Sequence, residues 1–422
     1  MSKLTHKFSM VLGATVKVTL ALFLVIFGAS VALAQNKAYV ALLGSNAVAV
    51  IDTTTNTVIT TIPVGSQPIS VDVTPNGAFA YVTNRASNNV SVIDTSTDTV
   101  VATVPTGAGP INISITPNGA FAYVSNQLGA SVSVINTATN TVTATVPVGT
   151  APTGIDVTPN GAFVYVANQL SASISVIATA TNTVVTTIPG ITAPLTLTIT
   201  PNGASVYVST VFNGVQVIAT ASNTVVAAVP VVSPARSAVT PDGDFVYVPS
   251  VSGNSVVVIG TASNTIVATV PVGPNPNAVG ITPNGASAYA SNSGGNTISV
   301  ISIATNTVTA TITVGNNPIG IGFSPDPINA LIARINALVA AGVLTQSQGN
   351  ALIGKLEQVQ AKIDAGQINA AINQLGAFIN QVSGFINNGS LTQVQAQPLL
   401  NGAIAIQVSL TVPGLAPTET QN

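Results

Sequence analysis

Residues 68–105 read PISVDVTPNGAFAYVTNRASNNVSVIDTSTDTVVATVP. The stretch contains four short runs rich in Val, Ile and Thr, separated by segments of Gly, Pro, Asn and Ser. β-Branched residues favour strands, and Gly, Pro and Asn favour the turns between them. The Asn76-Gly77 pair supplies the positive φ that a tight hairpin turn needs. The stretch therefore predicts a four-stranded antiparallel sheet, whose strands we name A to D in chain order.

This unit repeats along the chain. Its tyrosine recurs every 42 residues, with one interval of 40. A fixed period of this length, built from short strands, is typical of β-propeller blades. The chain has seven tyrosines in all, namely Tyr39, Tyr81, Tyr123, Tyr165, Tyr207, Tyr247 and Tyr289. The repeat therefore predicts an all-β, seven-bladed β-propeller over residues 35–324.

The repeats of strand A and of strand B are offset. Tyr39, in strand B, has no A strand before it, and the last A strand, at residues 318–324, has no tyrosine strand after it. A ring resolves this offset, because the C-terminal A strand then completes a blade whose B, C and D strands come from the N-terminus. Closure of this kind leaves no open blade edge at either end of the repeat.

A helical period replaces the strand pattern after Asp326. Apolar residues from Ile328 to Val339 follow three- and four-residue spacing, and Thr345 with Gln348 forms a capping-box pattern. We expect a small helical bundle over residues 325–412, followed by a disordered tail at residues 413–422.

Two segments resemble known families. Tyr81-Val82-Thr83-Asn84 and its variants resemble the YVTN family of secreted propeller repeats, which implies a seven-bladed propeller. Residues 370–382, AINQLGAFINQV after the first alanine, look like the FIMAH-type helical domain. That second resemblance implies an accessory module without known chemistry.

The first 34 residues have the pattern of a signal peptide. Lys3 and Lys7 precede an apolar run, and Ala32-Leu33-Ala34 forms a small-x-small cleavage pattern. The alternative is a single-pass anchor, although Lys17 lies close to the short run. We expect a secreted protein located outside the cell, at the cell surface or in the periplasm, with no transmembrane segment in the mature chain.

The charge and the residue inventory limit the chemistry. Six basic and eleven acidic residues remain after residue 34, which argues against a nucleic-acid partner. That part of the chain has no histidine and no cysteine, and the propeller has no glutamate. Histidine triads, cysteine nucleophiles and His or Cys metal sites are therefore excluded. We expect no cofactor, no metal site and no enzymatic activity.

Six residues are candidates for a binding site. The A strands should line the central channel, so Asp72, Asp156 and Arg236 should approach one lumen although they come from different blades. A solvated channel with a few charges is the alternative. Arg85, Gln127 and Gln169 begin the loops between strands B and C, which should lie on one face. Together these six residues predict a polar binding site at the channel mouth and on that face.

The predicted function is that of a non-catalytic binding or structural propeller in adhesion, in a matrix or in a surface layer. Its partner would be an extracellular protein or a glycan. One alternative is an atypical lyase or hydrolase that uses Asp72, Asp156 and Arg236. Another is self-association through the neutral blade edges.

Overall fold

Twenty-eight strands and four helices make up residues 37–411, the part of the chain that the computed structural model describes. The predicted signal peptide at residues 1–34 and the predicted tail at residues 413–422 lie outside the described residues. The strands form seven four-stranded sheets, each an antiparallel blade. The seven-bladed propeller is therefore confirmed.

The strands of the first four blades follow the repeat. Their bounds are β1 (Lys37–Leu42), β2 (Ala47–Asp52) and β3 (Thr57–Pro63) in blade 1; β4 (Pro68–Val73), β5 (Phe79–Asn84), β6 (Asn89–Asp94) and β7 (Thr99–Pro105) in blade 2; β8 (Pro110–Ile115), β9 (Phe121–Asn126), β10 (Ser131–Asn136) and β11 (Thr141–Pro147) in blade 3; and β12 (Pro152–Val157), β13 (Phe163–Asn168), β14 (Ser173–Ala178) and β15 (Thr183–Pro189) in blade 4.

The remaining strands complete the ring. Their bounds are β16 (Pro194–Ile199), β17 (Ser205–Thr210), β18 (Val215–Ala219) and β19 (Thr224–Val229) in blade 5; β20 (Ala238–Val239), β21 (Phe245–Ser250), β22 (Ser255–Gly260) and β23 (Thr265–Pro271) in blade 6; β24 (Pro276–Ile281), β25 (Ser287–Asn292), β26 (Thr297–Ser302) and β27 (Thr307–Thr313) in blade 7; and β28 (Pro318–Phe323), which is the A strand of blade 1.

The ring closes through the first and last strands. β28 pairs antiparallel with β1, with Val40 opposite Ile321. The Lys37 N–H donates to Ser324 Oγ at 2.8 Å, and the Ser324 N–H donates to the Lys37 carbonyl at 2.8 Å. The predicted closure of N-terminal B, C and D strands by a C-terminal A strand is confirmed.

The tyrosines join each blade to the next. Tyr81 lies in a buried layer between two blades, and its hydroxyl donates to Asn140 Oδ1 in the C–D turn of the following blade at 2.6 Å. Every tyrosine makes the equivalent bond. The seven pairs are Tyr39–Asp98, Tyr81–Asn140, Tyr123–Asn182, Tyr165–Asn223, Tyr207–Asn264, Tyr247–Asn306 and Tyr289–Asn56.

In the Tyr39–Asp98 pair the acceptor is a charged side chain. Asp98 takes the place of the usual asparagine, and its second oxygen accepts from Lys37 Nζ at 2.7 Å. Lys37 is the first residue of β1, so this ion pair ties the first strand of blade 1 to blade 2.

The outermost strands are exposed. Each D strand contains a β-bulge against its C strand, as at Val101 in β7, which has no partner between Ala102 and Val100. The bulged valines are solvent-accessible, with Val101 53% exposed. All seven blades share this irregularity.

Four helices follow the propeller. They are α1 (Pro327–Ala340), α2 (Gln346–Asp364), α3 (Ile368–Asn387) and α4 (Gln393–Thr411). Leu331, Leu356 and Phe378 belong to one buried core that the helices share. Thr345 and Gln348 form the predicted capping box. Arg334 of α1 contacts the propeller, because its Nη2 donates to the Asn76 carbonyl at 3.0 Å. Among the described helices, none combines the length and apolarity needed to cross a bilayer.

Candidate functional site

A cavity of about 570 Å³ lies where the A strands begin, near the B–C loops. We call the face formed by the B–C and D–A loops the upper face. The cavity holds three of the predicted residues, Arg236, Gln127 and Gln169. Its other lining residues are Ile69, Ile111, Thr153, Leu195, Thr196, Val211, Ser233, Pro234, Ala235, Val251, Asn277 and Ile319. The size suits a small molecule.

Arg236 occupies a break in the repeat. In blades 2, 3 and 7 a Thr or Ser hydroxyl of strand B accepts the N–H at this position of strand A; Ser70 N–H, for example, donates to Thr83 Oγ1 at 3.0 Å. Blade 6 has Pro249 in place of Thr83, and proline offers no hydroxyl. The Arg236 N–H instead donates to the Asn277 carbonyl of blade 7 at 3.1 Å. The A strand of blade 6 is therefore short, and Arg236 pairs with the neighbouring blade.

The Arg236 guanidinium reaches across the channel. Its Nη1 donates to the Ile69 carbonyl of blade 2 at 3.1 Å. It passes over Gly320 of β28, where an added Cβ would come within 2.6 Å of Nη1. Gly320 therefore leaves the space that the guanidinium fills.

This guanidinium lacks a charged partner. Lys37–Asp98 is the single ion pair within residues 37–411, and Arg236 Nε is a buried donor without a hydrogen-bond partner in the same range. Burial lowers the pKa of Arg236 to about 10. An unpaired buried cation at a cavity wall favours a ligand that brings an anion or a polarised carbonyl oxygen.

The other candidates on the upper face form a short chain of polar groups. Arg85 Nη2 donates to Gln127 Oε1 at 3.1 Å, which joins the B–C loops of blades 2 and 3. Gln127 and Gln169 line the cavity from blades 3 and 4. The structure therefore brings Arg85, Gln127, Gln169 and Arg236 to one region.

The two aspartates lie further along the A strands, and neither lines this cavity. Both keep partial solvent access. Asp72 Oδ2 accepts from the Ile115 N–H of the next blade at 2.8 Å, and Asp156 Oδ2 accepts from the Ile199 N–H at 2.9 Å. Each carboxylate thus bridges two neighbouring A strands.

Their environment changes their ionisation. Burial raises the pKa of Asp72 to about 7 and the pKa of Asp156 to about 6, against the opposing effect of their backbone hydrogen bonds. The negative charge of Asp156 raises the pKa of Asp72 further. Ser114 lies between them, and its hydroxyl donates to Asp156 Oδ1 at 3.1 Å. Asp72, Ser114 and Asp156 form a polar row on three successive blades.

Sequence reasoning missed Ser233, a polar lining residue in a D–A loop, and two polar lining residues of the A strands, Thr153 and Asn277. Both follow the proline that opens an A strand, where most blades carry an apolar residue such as Ile69 or Ile111. A polar residue in place of the usual apolar one was the sequence signal that could have identified these two residues as lining the cavity.

The comparisons agree with this architecture. The model of the family described as lactonase, 7-bladed beta-propeller, matches residues 95–187, and the FIMAH domain model matches residues 328–407. The chain is a seven-bladed β-propeller followed by a helical domain that is similar to FIMAH domains. Both resemblances seen in the sequence are confirmed. No curated protein matched the chain.

Several solved structures resemble this chain. Hydrazine synthase of Kuenenia stuttgartiensis is 25% identical, with a TM-score of 0.57 over 62% of this chain and 91% of that one. Candidate 6-phosphogluconolactonases of Bacteroides uniformis and Bacteroides fragilis are 18% and 17% identical, with TM-scores of 0.59 and 0.58. Each covers 68% of this chain, which covers 99% and 98% of theirs.

These findings correct one prediction. The expectation that the chain is not an enzyme is wrong, because residues 95–187 match the model of a lactonase family and the chain is 25% identical to hydrazine synthase of Kuenenia stuttgartiensis. The absence of histidine and glutamate did not justify that expectation. Aspartate and arginine inside a channel can supply a base and an electrophilic donor.

Proposed function

We propose that the propeller hydrolyses a small cyclic ester in the cavity at the mouth of its channel. One observation carries the proposal: the Arg236 guanidinium lines the cavity, has a free Nε donor and lacks a carboxylate partner within the described residues. The match of residues 95–187 to the lactonase family supports the reaction class.

In this reaction the oxygen of a water molecule bonds to the lactone carbonyl carbon, and the ring C–O bond breaks. The ring oxygen takes up a proton to become an alcohol, and the new carboxylic acid releases one at neutral pH. Arg236 stabilises the negative charge that develops on the carbonyl oxygen. It then holds the product carboxylate by a charge-assisted hydrogen bond.

We assign Asp72 as the base that takes the proton from the attacking water through a bridging water molecule, since the Asp72 carboxylate lies outside the cavity. Asp72 lies two residues beyond Ser70, which occupies the position of Arg236 in its own blade, so the Asp72 Cα lies about 7 Å further along the A strand than the Ser70 Cα. A pKa of about 7 suits a general base near neutral pH. The polar row with Ser114 and Asp156 supplies a path along which water can be bound.

The test measures proton release. Purified protein is mixed with γ-butyrolactone, glucono-δ-lactone and related lactones in a weakly buffered indicator solution. We expect turnover of at least one lactone, and a loss of about 10²-fold or more in kcat for Arg236→Met. Arg334→Met is the matched control, since Arg334 is a partly buried arginine that does not line the cavity. A wild-type rate for Arg236→Met, or no hydrolysis of any lactone, would overturn the proposal.

We also propose that this chemistry takes place outside the cytoplasm, on the strength of the signal-peptide pattern in residues 1–34. Edman sequencing of the protein recovered from culture medium or periplasm should begin at Gln35. An intact N-terminus in the cytoplasmic fraction would contradict export.

A further inference from the structure

Three loops of the upper face carry large apolar side chains in contact with solvent. Leu128 is 71% exposed, Leu170 is 74% exposed and Phe212 is 74% exposed. We call these three residues the apolar arc. They occupy the same position in the B–C loops of blades 3, 4 and 5, so they follow one another along the rim.

The arc is confined to one side of the propeller. The residues at the same position in the other four B–C loops are small, namely Gly44, Ala86, Ser252 and Gly294. Isolated apolar side chains are ordinary on a protein surface, whereas a contiguous group beside a cavity is a mark of a binding site.

The arc is continuous with the cavity. Each residue of the arc directly follows a residue that lines the cavity. These lining residues are Gln127, Gln169 and Val211. The adjoining cavity wall includes the apolar residues Ile111 and Leu195. An apolar surface therefore runs from the rim into the space beside Arg236.

Backbone hydrogen bonds hold these loops in place. The Leu128 N–H donates to the Ala108 carbonyl at 3.1 Å, and the Leu170 N–H donates to the Thr150 carbonyl at 3.2 Å. In blade 5 the Val211 N–H donates to the Ala193 carbonyl at 3.1 Å. The apolar arc is thus preorganised, which lowers the entropy lost when a ligand binds to it.

We infer that the apolar arc binds the hydrocarbon chain of a substrate whose carbonyl group lies on Arg236. This inference rests on the proposed function and names its substrate class, which is lactones that carry an alkyl or acyl chain. Such an amphiphile matches both parts of the surface, because its head meets the unpaired guanidinium and its tail covers the exposed leucines and phenylalanine.

The experiment compares lactones that share one ring. We measure kcat/KM for γ-butyrolactone, γ-octalactone and γ-dodecalactone. Each added methylene should raise kcat/KM about two- to fourfold while the chain lies on the arc. The triple variant Leu128→Ser, Leu170→Ser, Phe212→Ser should lose this dependence on chain length but keep the rate on γ-butyrolactone. The matched control, Val101→Ser, Val185→Ser, Val226→Ser, removes similarly exposed valines from the outer strands and should behave as wild type.

A binding measurement separates this inference from the proposed reaction. Isothermal titration with butyrate, octanoate and dodecanoate requires no hydrolysis. Tighter binding of the longer chains that the triple arc variant abolishes supports the inference even if no lactone is hydrolysed.

Two results would overturn the inference. One is hydrolysis of γ-butyrolactone without any effect of chain length, which would leave the proposed function intact. The other is an arc variant that keeps the chain-length effect but no longer binds phosphatidylcholine–phosphatidylglycerol vesicles, since the arc would then be a membrane-docking surface.

Discussion

The tyrosine ring and the channel axis differ in how closely they follow the repeat. All seven tyrosines make the same bond to the following blade, and six of the seven acceptors are asparagines. Along the channel axis, by contrast, the third residue of the A strand, counted from its opening proline, differs in nearly every blade. In order from blade 2 these are Ser70, Asn112, Gly154, Thr196, Arg236, Ala278 and Gly320. The repeat is uniform where it joins blades, and it varies where a ligand would lie.

The largest expected effect tests the closing strand, on which both regions depend. A chain that ends at Asn316 lacks β28 and leaves one edge of β1 unpaired, so we expect loss of cooperative folding or a fall in Tm of more than about 10 °C. A chain that ends at Asp326 keeps β28 and should retain most of the stability. Thermal melts followed by circular dichroism measure both. Equal damage in the two chains would show that the helices, rather than β28, stabilise the ring.

The next effect concerns pH and the aspartates of the axis. Burial raises the pKa of Asp72 from its ordinary 3.8 to about 7. Between about pH 4 and pH 7 the folded protein therefore holds a proton that the unfolded chain releases, so the free energy of unfolding falls as pH rises through this window. We expect a fall on the order of 2 kcal/mol, since water in the channel screens part of the effect.

Urea denaturation at a series of pH values measures this slope. Asp72→Asn should reduce the slope to the part that Asp156 contributes, while Asp244→Asn, at an exposed turn residue, should leave the slope unchanged. A free energy of unfolding that rises between pH 4 and pH 7 in the wild type would contradict the assignment.

Replacing Arg236 should raise the free energy of unfolding, whereas replacing a residue with a structural role lowers it. Arg236→Met removes a buried charge that has no carboxylate partner, so we expect a gain of about 1–2 kcal/mol in the free energy of unfolding together with the loss of ligand binding. Urea denaturation measures the gain. Marked destabilisation would mean that the bond to the Ile69 carbonyl stabilises the propeller. Arg236 would then have a structural role, as the tyrosines do.

The smallest effect tests one member of the tyrosine ring. Tyr123→Phe keeps the buried aromatic side chain but removes the hydrogen bond to Asn182. We therefore expect a loss of about 1 kcal/mol in the free energy of unfolding and an unchanged rate of lactone hydrolysis. Denaturation and the indicator assay measure the two quantities. An altered rate with unchanged stability would reverse the roles that we assign to the two regions.

Much of the fold could be predicted from local patterns. The spacing of the tyrosines gave the number of blades, and the offset between Tyr39 and the last A strand gave the mode of closure. The Thr345–Gln348 pattern gave the start of a helix. These features are repeated or local, so short-range sequence order is enough to determine them.

The site was predicted only in part. The A-strand position of Arg236 was predicted to face the channel, and the loops of Arg85, Gln127 and Gln169 were predicted to share one face. The sequence could not show that Arg236 would reach the Ile69 carbonyl, because that bond joins residues 167 positions apart. Nor could it show that Asp72 would bind the backbone of the next blade, since that depends on how closely the A strands approach each other.

The tyrosine acceptors were also missed. Asn140 and Asn182 lie in turns between strands C and D, and their bonds to Tyr81 and Tyr123 were not foreseen. A constant separation of 59 residues was the signal for these two pairs.

The pairing of β1 with β28 sets an order of events for the newly made chain. Lys37 and Ser324 are 287 positions apart, so β1 can pair with β2 early, but its other edge has no partner until almost the whole propeller has been synthesised. Loop closure over such a distance carries a large entropic cost and slows folding. Six blades can form from neighbouring segments while blade 1 waits, and the last strand to leave the ribosome's tunnel before the helices is the one that completes it.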